Sequence, residues 1–143
     1  MIKQISVFLE NKKGRLSEVT KTIADNKIDI KALTLADTKD FGVLRLIVTE
    51  PDRCVKILKE NNFVAQETEV IAIEVEDAPG GLSKVLELLN INNVNIEYIY
   101  ATIEKIKNKA IVIFRIEEMS KAKEILNKNG INIYEMSDII KNM

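Results

Sequence analysis

The sequence predicts an α+β chain built from two βαββαβ units, each an antiparallel sheet with helices on one face. Three observations carry that prediction. The segment "GRLSEV" (14–19) returns as "GGLSKV" (80–85), an offset of 80 − 14 = 66. The same offset lays "ISVFLEN" (5–11) on "IAIEVED" (71–77) and Ile30 on Ile96. In both halves, two-residue and helical apolar spacings alternate in the same order, the mark of a duplicated supersecondary unit.

Each copy opens with an alternating strand, Ile5, Val7 and Leu9 in the first and Ile71, Ile73 and Val75 in the second. A polar or proline-bearing turn follows. The next segment spaces its apolar residues for one helix face: Leu16, Val19 and Ile23, matched by Leu82, Val85, Leu86 and Leu89. "IDIKALTLA" (28–36) and "VNIEYIYATI" (94–103) then read as second strands. After a polar hairpin, "FGVLRLIV" (41–48) and "AIVIFRI" (110–116) read as third strands, rich in β-branched and aromatic residues.

A second helix carries Cys54, Val55 and Leu58 in copy one and Ala122, Ile125 and Leu126 in copy two. Asp52 and Ser120 suit its starts and Asn129-Gly130 its second stop. "PDRCVKILKENNF" (51–63) matches "MSKAKEILNKNGI" (119–131) at 119 − 51 = 68, so copy two has two extra residues, placed in the hairpin Glu104–Lys109. Short fourth strands are expected near Val64–Thr68 and Ile131–Glu135, and "DIIKNM", after Ser137, as a closing helical turn. This order is the split βαβ, or ferredoxin-like, arrangement. It places domain boundaries at 1–69 and 70–143. The junction "FVAQETEVIAIEV" (63–75) holds no Gly, Pro or Ser, so a rigid tandem is expected. Uncovered sheet faces and edges predict association within or between chains, with a homo-oligomer, a dimer, as the expected state.

Composition narrows the chemistry. The 143 residues are 46% hydrophobic and 30% charged with a net charge of −1, which offers no general attraction for nucleic acid or anionic lipid. No apolar run approaches the roughly 18 residues of a membrane span, and the amino terminus lacks a signal-peptide pattern. A cytoplasmic protein without membrane association is expected. One cysteine and no histidine remove intrachain disulfides, the usual zinc sites and Ser-His or Cys-His catalysis. No catalytic residue, metal or cofactor is expected. Cys54 lies on an apolar helical stripe as a structural thiol, Tyr98 and Tyr100 share one strand face as padding, and Lys105, Lys107 and Lys109 read as solvated turn charge.

The repeated loop is the candidate site. Glycine at a strand-to-helix turn lets backbone approach a ligand, and the following helix begins with unpaired N–H groups. Beside it stand Asn11 in copy one and Asp77 in copy two, and the second strand begins with Asp29 and Asn95. Each copy thus holds an amide, a carboxylate and a helix amino terminus, groups suited to an α-ammonium and an α-carboxylate.

"ENKKGRLSEVTKTIADNKIDIKAL" (10–33) and "EDAPGGLSKVLELLNINNVNIEYI" (76–99) resemble the ACT-domain signature, and the likeness covers the chain as two copies. Copy one has Lys13 where that pattern has proline, and copy two Asp77 where asparagine is usual. The resemblance implies a non-catalytic regulatory fold that binds an amino acid or similar small metabolite at interfaces between domains. It implies ligand contacts at Asn11, Gly14, Leu16, Asp29 and Ile30, and at Asp77, Gly80, Gly81, Leu82, Asn95 and Ile96. Two copies fill the 143 residues, so output is expected through a protein partner or self-association. Two other readings share the fold. One is a structural or assembly module without a ligand. The other is an RNA-binding domain, suggested by Phe41-Gly42 but opposed by the acidic balance and by "KAIVIF" in copy two.

Overall fold

The computed structural model describes residues 1–37 and 39–143. The first copy supplies β1 (Ile2–Glu10), α1 (Arg15–Asp25), β2 (Ile30–Asp37), β3 (Phe41–Val48), α2 (Pro51–Glu60) and the start of β4 (Val64–Val75). The second supplies the rest of β4, then α3 (Gly81–Ile91), β5 (Ile96–Ala101), β6 (Ala110–Ile116), α4 (Met119–Lys128), β7 (Ile133–Tyr134) and α5 (Met136–Asn142). The chain divides into two compact units, Lys3–Thr68 and Glu69–Met143 with Met1–Ile2.

In the first unit the strands run in the order β2-β3-β1-β4. β1 pairs antiparallel with β3 from Ile5↔Leu46 to Glu10↔Phe41, and β2 with β3 from Ile30↔Val48 to Asp37↔Gly42. The alternation of β1 sends Ile5, Val7 and Leu9 into one core with Val19 and Ile23 of α1 and Cys54, Val55 and Leu58 of α2. Each such side chain contributes roughly 2 kcal/mol by leaving water. Gln4 and Ser6 point to the opposite face, where they are buried and hydrogen-bonded to each other at 3.2 Å.

The second unit repeats the plan, with β6 pairing β4 from Ile71↔Phe114 to Val75↔Ala110 and β5 pairing β6. Its core gathers Ile71, Ile73, Val75, Val85, Leu89, Phe114, Ala122 and Leu126.

The duplication extends to backbone detail. Gly14 and Gly80 hold φ of 89° and 84°, Lys27 and Asn93 both 57°, and Asn62 and Gly130 66° and 70°. All are left-handed positions that follow a strand or a helix end. All four of these helices close on asparagine. Asn26, Asn61, Asn92 and Asn129 each donate a side-chain N–H to the carbonyl one turn back at 2.8 Å. β2 and β5 even share a pairing irregularity, between Ile30 and Ala32 in one and Ile96 and Tyr98 in the other.

Some expectations are corrected. α2 and α4 are capped at Glu50 and Glu118 rather than at Asp52 and Ser120, and Pro51, pre-set for helical φ, takes the first helical position of α2. Asp52 instead reaches Lys3 at 2.9 Å. The last strand shrinks to the two residues of β7, because the chain turns at once into α5, where Glu135 and Asp138 form a reciprocal capping box. The polar hairpin of copy one includes Thr38, which lies outside the described residues. That of copy two turns through Lys107 and Asn108, both with positive φ, closed by Ile106 and Lys109.

Candidate functional site

Both repeated loops place a left-handed glycine ahead of an eleven-residue helix that has no side-chain cap. The N–H of Arg15 bonds the Lys12 carbonyl at 3.3 Å, and that of Gly81 the Ala78 carbonyl at 2.9 Å. Glu18 and Lys84 return to the carbonyls of Gly14 and Gly80 at 2.9 and 3.1 Å, so the helices are regular from their first turn. Asn11, Gly14 and Leu16 are exposed around the first loop, and Asp77 and Gly80 around the second; Leu82 is half-buried and Gly81 buried. A small cavity of about 100 Å³ lies beside the first loop, lined by residues that include Asn11, Leu16, Leu35 and Asp37.

The second-strand candidates lie elsewhere. The backbone N–H of Asn11 bonds the Asp40 carbonyl at 3.0 Å, before β3, whereas the N–H of Asp29 bonds Thr49 Oγ1 at 3.2 Å, after it. At about 3.3 Å per residue the two are separated by on the order of 25 Å, the length of β3. Asp77 and Asn95 are likewise split across β6, since Val75 pairs Ala110 and Ile96 pairs Ile116. The helix between first and second strands carries the chain back to the opposite end of the sheet. The expectation that each copy assembles amide, carboxylate and helix terminus at one place is therefore corrected within a single unit. Ile30 and Ile96 accompany Asp29 and Asn95, each just before the irregularity in strand pairing.

Two of these groups already have charged partners. Asp29 pairs with Lys31 at 2.8 Å, and Asp77 pairs with Lys105, so that lysine is more than solvated turn charge. Glu10, at the end of β1, is held below the usual carboxylate range by its hydrogen bond to Lys12, with Arg15 adding to the effect.

Copy two has a larger groove that the sequence did not announce. It has a volume of about 250 Å³, lies between the start of α3 and the α4–β7 turn, and is lined in part by Glu76, Gly81, Lys84, Lys109, Gly130 and Asn132. At its margin Glu74 accepts hydrogen bonds from Asn132 Nδ2 at 2.8 Å and the Tyr134 hydroxyl at 2.7 Å. The Asn132 bond holds Glu74 below its ordinary pKa, while burial and the Glu74 charge push Tyr134 up to about 12. A Cβ on Gly81 would collide with the Glu76 carbonyl oxygen, so only glycine permits this approach of α3 to the end of β4. The GG against GR difference marks the place in sequence, but its consequence depends on residues after the second helix.

Among the described residues no group of three or more His, Cys, Asp or Glu side chains is placed to hold a metal ion, and no helix is long and apolar enough to cross a membrane.

The ACT domain pair family matches residues 1–143. Protein BT0572 from Bacteroides thetaiotaomicron is similar at 42% identity, over 96% of this chain and 94% of that one, with a TM-score of 0.90. The ligand-free regulatory subunit of aspartate kinase from Thermus thermophilus shares the fold at 14% identity, over 88% of this chain and 90% of that one, with a TM-score of 0.65. The corresponding subunit from Thermus flavus does so at 13% identity and a TM-score of 0.61, over the same shares. No curated protein matches the chain.

Proposed function

This chain belongs to the ACT domain pair family, and from that premise we propose that it is a non-catalytic, cytoplasmic regulatory protein that binds an amino acid or similar small metabolite. Its domains are residues 1–69 and 70–143, and it acts as a homo-oligomer, a dimer, or through a protein partner. The observation that carries the reading is the duplicated loop, in which Gly14 and Gly80 at φ 89° and 84° open helices without side-chain caps. Backbone N–H groups at such a turn receive a carboxylate without the desolvation that a buried cation requires. Regulatory subunits of aspartate kinase share the fold, which supports a role in control over one in chemistry.

Because Asn11 and Asp29 stand at opposite ends of their own sheet, a site using both kinds of group takes the strand start of a second domain. In this proposal the ligand contacts Asn11 or Asp77 on the loop of one domain and Asp29 or Asn95, with the adjacent isoleucine, on another. A ligand there stabilises one assembly by its differential affinity for it.

Calorimetric titration of the purified chain with amino acids, repeated on Asp77→Ala and Asn95→Ala, tests this reading. Both variants should bind about tenfold more weakly, each losing a charge-assisted or amide hydrogen bond. Unchanged affinity in both would remove these residues from the site.

A further inference from the structure

The two units differ at the start of their first helices, where Arg15 of the first corresponds to Gly81 of the second (81 − 15 = 66). In the first unit the Arg15 side chain leaves the start of α1 and crosses to the turn after α2. Its Cζ stands 4.6 Å from the centre of the Phe63 ring, and its Nη1 bonds Glu18 at 2.6 Å. The counterparts of Phe63 and Glu18 in the second unit are Ile131 (131 − 63 = 68) and Lys84 (84 − 18 = 66). Both line the 250 Å³ groove, where no side chain extends from position 81. The space that the first unit closes with its own arginine is open in the second.

The charges change with the shape. Lys84 replaces the acid Glu18, and Lys109 replaces Phe41 (109 − 41 = 68), while the acid Glu10 is kept as Glu76. Lys84 Nζ stands 3.9 Å from Glu76 Oε2, beyond hydrogen-bond distance, so neither group is saturated by the other. The remaining acid of the lining, Glu74, is engaged by Asn132 and Tyr134. The groove thus offers two cations and one incompletely paired carboxylate, beside the aliphatic wall of Val85 and Ile131. Its volume falls below the roughly 300 Å³ at which drug-sized pockets begin, which suits a small metabolite.

We infer that this groove of the second unit is a binding site for one small zwitterion, whose carboxylate meets Lys84 and Lys109 and whose ammonium meets Glu76. Arg15 is the first unit's built-in occupant of the equivalent space. The inference takes its ligand class from the reading above, but the groove is a second site, within one unit, on the α4 side of the loop and separate from the one that uses Asp77 and Asn95. An apolar side chain of the ligand lies against Val85 and Ile131.

The test is an amide-resolved NMR titration of the full chain with each standard amino acid at millimolar concentration, repeated on Lys84→Glu. Lys84 is largely exposed, at 78%, so the substitution leaves the core untouched, and an unchanged melting temperature checks this. The expected result is saturable shifts at Gly81, Lys109, Gly130 and Asn132 with a small amino acid, and about tenfold weaker binding in Lys84→Glu. Shifts confined to the Asp77 loop and Asn95, with Lys84→Glu binding normally, would overturn the groove and leave the interdomain site standing. No shift with any amino acid would overturn both.

Discussion

Arg15 Cζ lies 4.6 Å from the centre of the Phe63 ring, while the guanidinium Nη1 bonds Glu18 at 2.6 Å. One side chain therefore ties the start of α1 to the turn that follows α2. Its stem also covers apolar surface, since only 26% of the side chain is exposed. Arg15→Ala should destabilise the chain by about 1 kcal/mol, the scale of a partly buried cation–π contact. Urea unfolding checks this, and Arg15→Lys should recover only part of the loss, because an ammonium lacks the planar fork.

The two glycines of the second loop are needed for different reasons. Gly80 has φ of 84° with open space around it, so Gly80→Ala should cost roughly 1–2 kcal/mol through backbone strain alone. Gly81 meets steric obstruction instead. An added Cβ there collides with the Glu76 carbonyl oxygen and lies 3.0 Å from its carbonyl carbon, so Gly81→Ala must shift the strand end or the helix start. Thermal unfolding of both variants should show the larger loss at Gly81, although Gly80 has the unusual φ.

β7 is held to β4 by few contacts, and Glu74 supplies two through Tyr134 and Asn132. Tyr134→Phe should cost about 1 kcal/mol, the net worth of one hydrogen bond. The pH dependence has a fixed sign. Tyr134 is raised from 10 to about 12 in the folded chain, so its contribution is complete below pH 10 and is lost as pH rises toward 12. Denaturant midpoints measured across that range should fall less steeply in Tyr134→Phe than in the parent.

Cys54 sits in the core of the first unit, where burial pushes its thiol up to about 11. It should resist thiol-directed reagents in the folded chain at neutral pH and react at once in denaturant, because the thiolate is the nucleophile. The stability it contributes is present below pH 9 and is lost as pH rises toward 11. Fast labelling of the native protein would contradict its burial.

The fold was legible in the sequence because duplication shows every element except α5 twice. Ile5, Val7 and Leu9 against Ile71, Ile73 and Val75 fixed the strand faces, and the offsets of 66 and 68 placed the extra residues in the second hairpin. Helix starts were less legible. Asp52 and Ser120 have capping chemistry, but α2 is capped two residues earlier, at Glu50 ahead of Pro51, and Asp52 is drawn to Lys3. The candidate site was legible as a loop and not as a constellation. Asn11 and Asp29 follow the same motif in sequence, yet α1 and β3 set them at opposite sheet ends. The meaning of Arg15 against Gly81 depends on Phe63 and Ile131, which no local motif connects to them.

Binding of a small amino-acid-like ligand by this chain is tested most directly by thermal unfolding against a panel of amino acids at millimolar concentration. A ligand that binds only the folded state adds RT ln(1 + [L]/Kd), about 2.7 kcal/mol at one hundred times Kd. One chemically related group of amino acids should raise the melting temperature in a concentration-dependent way. Unchanged melting across the whole panel would contradict such binding.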